Sequence, residues 1–250
     1  MLLVMMVSNS TFSLAETTAS DREATFLGLQ FGVATPEDGM KALVKAGYLP
    51  GSIEEEADVY LFTPVDTTFE DKDKRFVFNG ADKAGIELSS SEDHTVAGHT
   101  AIDTTLSFIY GFENGAVVKE SPVLFEARYT FYPKETKQLF DDLLVKLNQV
   151  YGKSEVYTET HKFTDEPYFW IEEMAFWGKA NNTGIVLETR WFSKDGISPA
   201  VVDYIEFVEI IYGRTDTYNQ LQQMSDYYKQ QETEAEQKRI EENKDNKDGL

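Results

Sequence analysis

The chain has 250 residues, of which 41% are hydrophobic and 13% aromatic, so it carries enough apolar material for one large or two small folded domains. Its 44 acidic residues outnumber its 23 basic ones, and the net charge of -21 disfavours nucleic acid and anionic membranes as partners. The sequence contains no cysteine, which excludes disulfides, thiolate nucleophiles, cysteine-ligated metals and a lipid anchor on cysteine. Cationic or neutral partners fit this charge, although solubility alone also accounts for an acidic excess.

The first 15 residues have the pattern of a signal peptide. An apolar run at residues 2–7 precedes Ser13-Leu14-Ala15, a small-x-small pattern that predicts cleavage after Ala15. No Lys or Arg precedes the run, and a start codon placed too late would explain the missing basic n-region. No stretch of the chain reaches the roughly 18 apolar residues of a transmembrane helix. We therefore expect an exported protein, extracellular or in the cell envelope, without a membrane span.

The apolar stretch at residues 26–31 predicts a short strand, and a helix is predicted to follow it from Pro36 to Ala46. Thr35 can cap the helix start and Gly47 can supply the left-handed stop. The carboxylates of the first turn would repel a phosphate, so this turn is not expected to bind a nucleotide. The predicted buried face of the helix consists of Met40, Leu43, Val44 and Ala46.

Residues 26–132 are predicted to form a first unit of one helix and antiparallel strands. Residues 50–100 have the weak pattern of an insertion, with short strands at residues 59–62 and 75–78 and a polar loop. Clear alternation of apolar and polar residues begins at Leu106 and continues to Phe131, interrupted by a tight turn at residues 113–115. This alternation predicts an antiparallel meander.

Residues 133–213 are predicted to form a second unit of the same kind. An amphipathic helix follows Pro133 and ends at Gly152. Four strands are predicted after it, at residues 155–163, 168–177, 185–192 and 201–212. Residues 214–250 predict an amphipathic helix and then a charged tail that is frayed or disordered beyond Lys229. The predicted fold class is α+β, with two helix-plus-antiparallel-meander units and a C-terminal helix.

Short motifs carry a resemblance to known families. They are F-L-G-L-Q-F-G at residues 26–32 with T-P-E-D at residues 35–38, then Tyr151-Gly152, Trp177-Gly178 and Ile211-Tyr212-Gly213. Over residues 26–213 the chain resembles uncharacterised exported α+β domains of anaerobic Gram-positive bacteria. Its units are similar to those of the β-lactamase inhibitor protein and of the BamE type of outer-membrane assembly lipoprotein. The resemblance implies a β-lactamase inhibitor protein-like fold and a binding role, but the chain lacks the cysteine that anchors the lipoproteins.

Two of the three histidines, His94 and His99, lie in a polar stretch near several carboxylates. A transition-metal site is one interpretation of this composition. The spacing, however, matches neither a helical pair nor a strand pair with both rings on one side. We therefore expect solvated loop histidines, and we predict no metal and no cofactor.

Glu172 and Glu173 interrupt the otherwise apolar strand FWIEEMAFW at residues 169–177. Because side chains alternate along a strand, at least one of the two must project from the buried face or sit at a bulge. We expect a bulge or an ion pair with Arg190 on the neighbouring strand. A carboxylate that faces a ligand is the alternative.

Five aromatic residues that cluster on adjacent predicted strands are the candidate binding residues: Tyr168, Trp170, Trp177, Trp191 and Phe192. Most should be core, but a sheet face left uncovered by helix would make them a platform for a peptide, a protein loop or a sugar. The favoured function is an exported, non-catalytic module that binds an extracellular or envelope protein. The alternative is a secreted glycan hydrolase that uses a carboxylate pair near Trp170 and Trp191. Oligomeric state is not predicted.

Overall fold

The computed structural model describes residues 24–56, 59–62, 75–78, 85–113, 116–133, 135–162, 168–178, 182–199, 207–214 and 218–245. The predicted signal peptide at residues 1–15 lies outside the described residues, as do the turn residues 114–115, the predicted strand residues 201–206 and the end of the charged tail at residues 246–250.

Within these ranges the chain forms helices and strands whose bounds are as follows. The helices are α1 (Pro36–Ala46), α2 (Thr136–Tyr151) and α3 (Tyr218–Asp245). The strands of the first half are β1 (Glu54–Glu56), β2 (Val59–Phe62), β3 (Arg75–Phe78), β4 (Gly85–Ser90), β5 (His94–Val96), β6 (His99–Ala101), β7 (Asp103–Glu113) and β8 (Ala116–Phe131). Those of the second half are β9 (Glu155–Lys162), β10 (Phe169–Gly178), β11 (Thr183–Ser193) and β12 (Phe207–Arg214).

One antiparallel sheet organises the molecule. Its eight strands run in the order β1-β4-β7-β8-β12-β11-β10-β9, while β2 with β3 and β5 with β6 form separate two-stranded ladders. Strands that follow α1 fill one half of the sheet and strands that follow α2 fill the other half. The halves meet where β8 pairs with β12, with Phe131 opposite Val208 and Tyr129 opposite Ile210. The predicted α+β class with antiparallel strands is confirmed.

The main core lies between one face of the sheet and the helices α1 and α2. We call this side the helix face and the opposite side the outer face. Among the largest buried side chains of the core are Phe26, Leu43, Phe108, Phe131, Phe140 and Leu143. Trp177 closes the C-terminal end of α2, because its Nε1 donates to the carbonyl oxygen of Gly152 at 2.9 Å and to Asn148 Oδ1 at 3.2 Å. The last carbonyls of a helix lack partners within the helix, and the bond to Gly152 provides a partner for one of them.

Helix α1 has its predicted bounds but a different buried face. Thr35 and Asp38 form a reciprocal capping box, and Gly47 ends the helix with a positive φ of 111°. The buried positions are Gly39 and Leu43, whereas Val44 is 39% exposed, so the predicted face was wrong at Val44. The reason is a close approach of the helix to the sheet, which favours a residue without a side chain at the contact.

Helices α2 and α3 differ in how much of them is buried. Helix α2 lies between Pro133 and Gly152, as predicted, and buries one stripe against β11 and β12. Helix α3 buries Met224 and places Tyr227 edge-on to Phe112 with ring centroids 5.8 Å apart. It continues as a helix to Asp245, and from Lys229 onward its described side chains are exposed. Among the described residues, no helix has both the length and the apolar character needed to span a bilayer.

The contact at Gly39 can be tested by Gly39→Ala. Alanine favours a helix over glycine by about 1 kcal/mol, which would stabilise α1 in isolation. A Cβ at this position would lie 2.5 Å from Phe108 Cζ, and Phe108 is fully buried. We expect a net loss of about 1 to 3 kcal/mol in the free energy of unfolding, measured by urea denaturation.

Gly51→Ala is the matched control, because a Cβ there meets no atom within 4 Å. It should change the free energy of unfolding by less than about 0.5 kcal/mol. A stabilised Gly39→Ala protein would show that α1 does not depend on this close approach.

Candidate functional site

The pleat of the sheet separates the five aromatic residues predicted to form a platform. Trp170 stands opposite Phe192 and shares the outer face with it, whereas Trp177 and Trp191 point to the helix face. Trp177, Trp191 and Phe192 are buried, with exposed fractions of 2%, 4% and 6%. Tyr168 and Trp170 are half-buried. The five residues therefore do not form one platform.

Trp170 already has partners within the chain. The guanidinium carbon of Arg190 lies 4.0 Å from the centroid of its ring, and the ring of His161 lies 4.8 Å away, tilted by 46°. The ammonium nitrogen of Lys194 lies 5.7 Å from the centroid of the Tyr168 ring. A sugar that stacked where the guanidinium lies would have to displace Arg190 from a cation–π contact.

Glu172 and Glu173 form different interactions on opposite faces of the sheet. The register of β10 and β11 is continuous from Phe169 to Gly178, so no bulge occurs there. Glu172 accepts a hydrogen bond of 2.7 Å from Arg190 directly across the ladder, which confirms the predicted ion pair. Glu173 points to the helix face, where it accepts from Trp191 Nε1 at 2.8 Å and lies 3.3 Å from Lys137 Nζ.

This arrangement bears on the alternative of a glycan hydrolase. Such an enzyme needs two carboxylates that face one another across a shared cleft. Trp170 and Trp191 point to opposite faces of the sheet, and so do Glu172 and Glu173. The two tryptophans therefore do not line one shared cleft, and on the side of Trp170 the carboxylate opposite Glu172 is that of Glu159 on β9.

The expectation of solvated loop histidines was wrong. His94 lies on β5 and His99 on β6, and the ladder places both on the same side. They nevertheless have different partners. The ring of His94 stacks on Tyr48 at 4.6 Å, and His99 Nε2 lies 2.5 Å from Asp142 Oδ2. Among the described residues, no group of three or more His, Asp or Glu residues is arranged to hold a metal ion.

A lysine joins the β5–β6 turn to helix α2. Lys146 Nζ donates to the carbonyl oxygen of Ala97 at 2.7 Å and to Asp142 Oδ2 at 2.8 Å, and it lies 3.0 Å from His99 Nε2. An ammonium group has three donors, and Ala97 and Asp142 accept two of them here. The Lys146 and His99 hydrogen bonds hold the pKa of the Asp142 carboxyl below its ordinary value.

A groove opens beside this cluster, between α2 and the ends of β6 and β8. We call it the acidic groove, and its volume is about 820 Å³. Apolar side chains contribute much of its lining, and two of them face solvent: Tyr132 is 48% exposed and Val145 is 56% exposed. The other apolar lining residues include Ile102, Phe131 and Leu139. Exposed apolar side chains gathered in one concavity are typical of a binding surface.

Carboxylates stand along the groove. Glu135, Asp141 and Asp142 belong to its lining. Asp141 is paired with Lys137 at 2.5 Å, and Asp142 is paired with Lys146. Burial raises the pKa of the Tyr132 phenol, and Asp103 and Glu209 raise it further, so this phenol stays neutral and keeps its proton for donation. The groove therefore offers apolar contact, a hydroxyl and fixed negative charge.

The sequence analysis missed this groove. Its walls come from residues of the segments 99–102, 131–133 and 135–145, and no periodic pattern reveals that these segments meet. The available signal was Val145, which lies off the buried stripe of an amphipathic helix, together with Tyr132 just beyond the end of a strand. An apolar residue on the exposed side of a helix indicates a contact surface only when a second exposed apolar residue is known to lie nearby.

The cluster at Asp142 predicts a pH dependence that Asp142→Asn should remove. Because the folded protein holds this pKa below its ordinary value of 3.8, the carboxylate stabilises the fold above that value, and the contribution is lost as the pH falls through the folded pKa. In urea denaturation the variant should be less stable than the unmodified protein near pH 7, and the difference should shrink as the pH falls below 3.8. A difference of equal size at both pH values would contradict an electrostatic role.

The buried pair of Glu173 and Trp191 predicts a non-additive pair of substitutions. Trp191→Phe removes the indole donor and leaves the buried carboxylate with Lys137 alone, which should cost about 1 to 3 kcal/mol in addition to the lost packing. In Glu173→Met with Trp191→Phe, the carboxylate that would lose its indole donor is absent. We expect the double variant to lose about 1 kcal/mol less than the sum of the single losses in urea denaturation. Additive losses would contradict the pairing.

Comparisons with family models, with curated proteins and with solved structures find no match for this chain in any of the three. The assignment of function therefore rests on the geometry and charge of the residues described above.

Proposed function

We propose that this protein is a non-catalytic binding module whose acidic groove holds an apolar segment of a partner protein, and that this segment carries Lys or Arg beside its apolar side chains. The observation that supports the proposal is the groove itself, a concavity of about 820 Å³ with Tyr132 and Val145 exposed in it and carboxylates along it. Pockets of this size, mainly apolar with a few polar groups, are typical ligand sites.

The exposed apolar area supplies the affinity. Burying apolar surface stabilises a complex by about 25 cal/mol per Å², and Tyr132 and Val145 have such surface available. Tyrosine is enriched at protein interfaces because one side chain offers both a ring and a hydroxyl. A partner side chain that entered the groove would contact both residues at once.

The charge of the molecule supplies the selectivity. The net charge of -21 attracts cationic partners from a distance and disfavours polyanions. Within the groove Asp141 and Asp142 are already paired with lysines of their own helix, so they act as fixed charge rather than as free acids or bases. Glu135 contributes further negative charge, because it is exposed and forms no ion pair with another residue that the structure describes.

Two further parts of the proposal concern the location of the protein and the fold of its two halves. We propose that the protein acts outside the cytoplasm, in the medium or the cell envelope, on the basis of the signal-peptide pattern at residues 1–15. We also propose that its halves are two helix-plus-meander units of the β-lactamase inhibitor protein kind. The order of the strands supports this idea, since each half places its last strand, β8 or β12, at the centre of the sheet.

A charge placed inside the groove should abolish binding. The probe is a synthetic peptide of about twelve residues with leucine or phenylalanine flanked by lysine, labelled for fluorescence anisotropy. Val145→Lys puts an ammonium at an apolar contact and repels the lysines of the probe. We expect its affinity to fall by at least about tenfold.

Val150→Lys is the matched control, because Val150 is also an exposed valine of α2 but does not line the groove. It makes the same change in net charge and should alter the affinity by less than about twofold. Equal losses in the two variants would mean that the probe senses only overall charge, and the proposed groove function would then fail. A probe in which glutamate replaces lysine should not bind either variant or the unmodified protein.

A further inference from the structure

The two edges of the main sheet are built differently. The edge strand β1 has three residues, all glutamate and all exposed. The edge strand β9 has eight residues and pairs with β10 along its whole length. Within the described ranges no strand pairs with the other side of β9. Short edge strands resist pairing with another chain, whereas a long edge strand presents more backbone N–H and C=O groups to a partner.

The side of β9 that points to the helix face carries one charge, Lys162, at the C-terminal end of the strand. Val156, Thr158 and Thr160 precede Lys162 in this row and are exposed, and α2 packs on β11 and β12. Val156 is 50% exposed. Natural edge strands are commonly protected by an inward-pointing charge, a proline or a bulge, and these three positions have none. Valine and threonine also have high β propensity, which favours the pairing of β9 with a further strand.

On the outer face, β9 carries two glutamates that are separated by one residue of the same side. Glu155 and Glu159 lie there with Tyr157 between them, and Glu155 accepts a hydrogen bond of 2.8 Å from the Tyr157 hydroxyl. Glu159 lies 3.4 Å from His161 Nε2. Cross-strand neighbours of opposite charge stabilise a ladder, and like charges destabilise it. A second copy of this chain would also bring another net charge of -21 to the contact, so the charges favour a basic partner over self-pairing.

We propose that β9 is a docking edge that pairs with an extended segment of a partner protein. The segment carries Lys or Arg at alternate positions on the side of Glu155 and Glu159, and threonine or valine at the positions between, beside Val156 and Thr158. Main-chain hydrogen bonds to the free edge provide affinity, and the alternating charges set register and specificity. The docking edge is distinct from the acidic groove, and neither requires the other.

The probe for this proposal is a synthetic peptide of about ten residues in which lysine alternates with threonine or valine. A peptide of the same composition with its lysines in one block is the control for net charge. We expect the alternating peptide to bind about tenfold more tightly, because only it can place all lysines on one side of a strand. Amide hydrogen exchange should slow in β9 and stay unchanged in β1.

Thr158→Lys places a charge in the middle of the row formed by Val156, Thr158 and Thr160, and should weaken binding of the alternating peptide by about tenfold. Thr160→Lys serves as a second variant in the same row. Thr95→Lys is the matched control, since Thr95 is an exposed threonine of the separate ladder β5–β6. Its affinity for the peptide should stay within about twofold of that of the unmodified protein. Urea denaturation of each variant shows whether it is folded.

Three results would overturn the docking edge. The first is equal affinity for the alternating peptide and for the peptide with its lysines in one block. The second is amide exchange that slows outside β9. The third is a concentration-dependent dimer in which β9 is the protected strand, because a second copy would then be the occupant. Val145→Lys should leave the binding of the alternating peptide at β9 unchanged. The docking edge and the acidic groove can therefore fail independently.

Discussion

The backbone pairing of β8 with β12 is the constraint on which the rest of the molecule depends. It joins strands that follow α1 to strands that follow α2, so that eight strands form one sheet and both helices pack on the same face. Val208 and Ile210 of β12 then meet Phe131 and Tyr129 of β8 in one layer. Because side chains alternate strictly along a strand, this register also decides which face each functional side chain occupies. A shift of one residue would exchange the core for the outer face.

The outer face beside this junction is ionic. Arg128 donates to Glu126 at 2.6 Å and lies 3.7 Å from Glu209, and Glu188 is a third carboxylate of the cluster. Burial alone would lower the pKa of the guanidinium, but the three carboxylates together raise it above its ordinary value. Thr130 adds a hydrogen bond to Glu209 at 2.9 Å. Charges taken out of water need such geometry to offset their desolvation, and the β8–β12 register provides it by placing Glu209 opposite Thr130 and close to Arg128.

Helix bounds and ion pairs could be predicted from the sequence where residues close to one another in the chain determine them. The bounds of α1 follow from Thr35 and Gly47, and the ion pair of Glu172 with Arg190 follows from two strands that are adjacent in the chain. The His94 and His99 arrangement could not be predicted in this way. Their turn contains Ala97 with a positive φ of 51°, a conformation that a residue other than glycine rarely adopts, and no Asn-Gly signal marks it. The turn is instead held from α2 by Lys146, a contact that spans 49 positions.

The same physical limit explains both candidate binding surfaces. A helix covers a stripe of sheet about 10 Å wide, and eight strands spaced about 4.8 Å apart are much wider than two such helices. Helix α2 lies over β11 and β12, so its other flank leaves the acidic groove beside the end of β8, and the edge strand β9 extends beyond its cover. A protein of this size could bury these surfaces with one more helix on the same face. Helix α3 instead contacts β3 and β8 and places Tyr227 against Phe112, so the described helices leave the apolar residues at Val145 and Val156 exposed to solvent. Exposed apolar groups at two sites, each beside carboxylates, are the arrangement expected of a protein that binds basic, partly apolar segments of others.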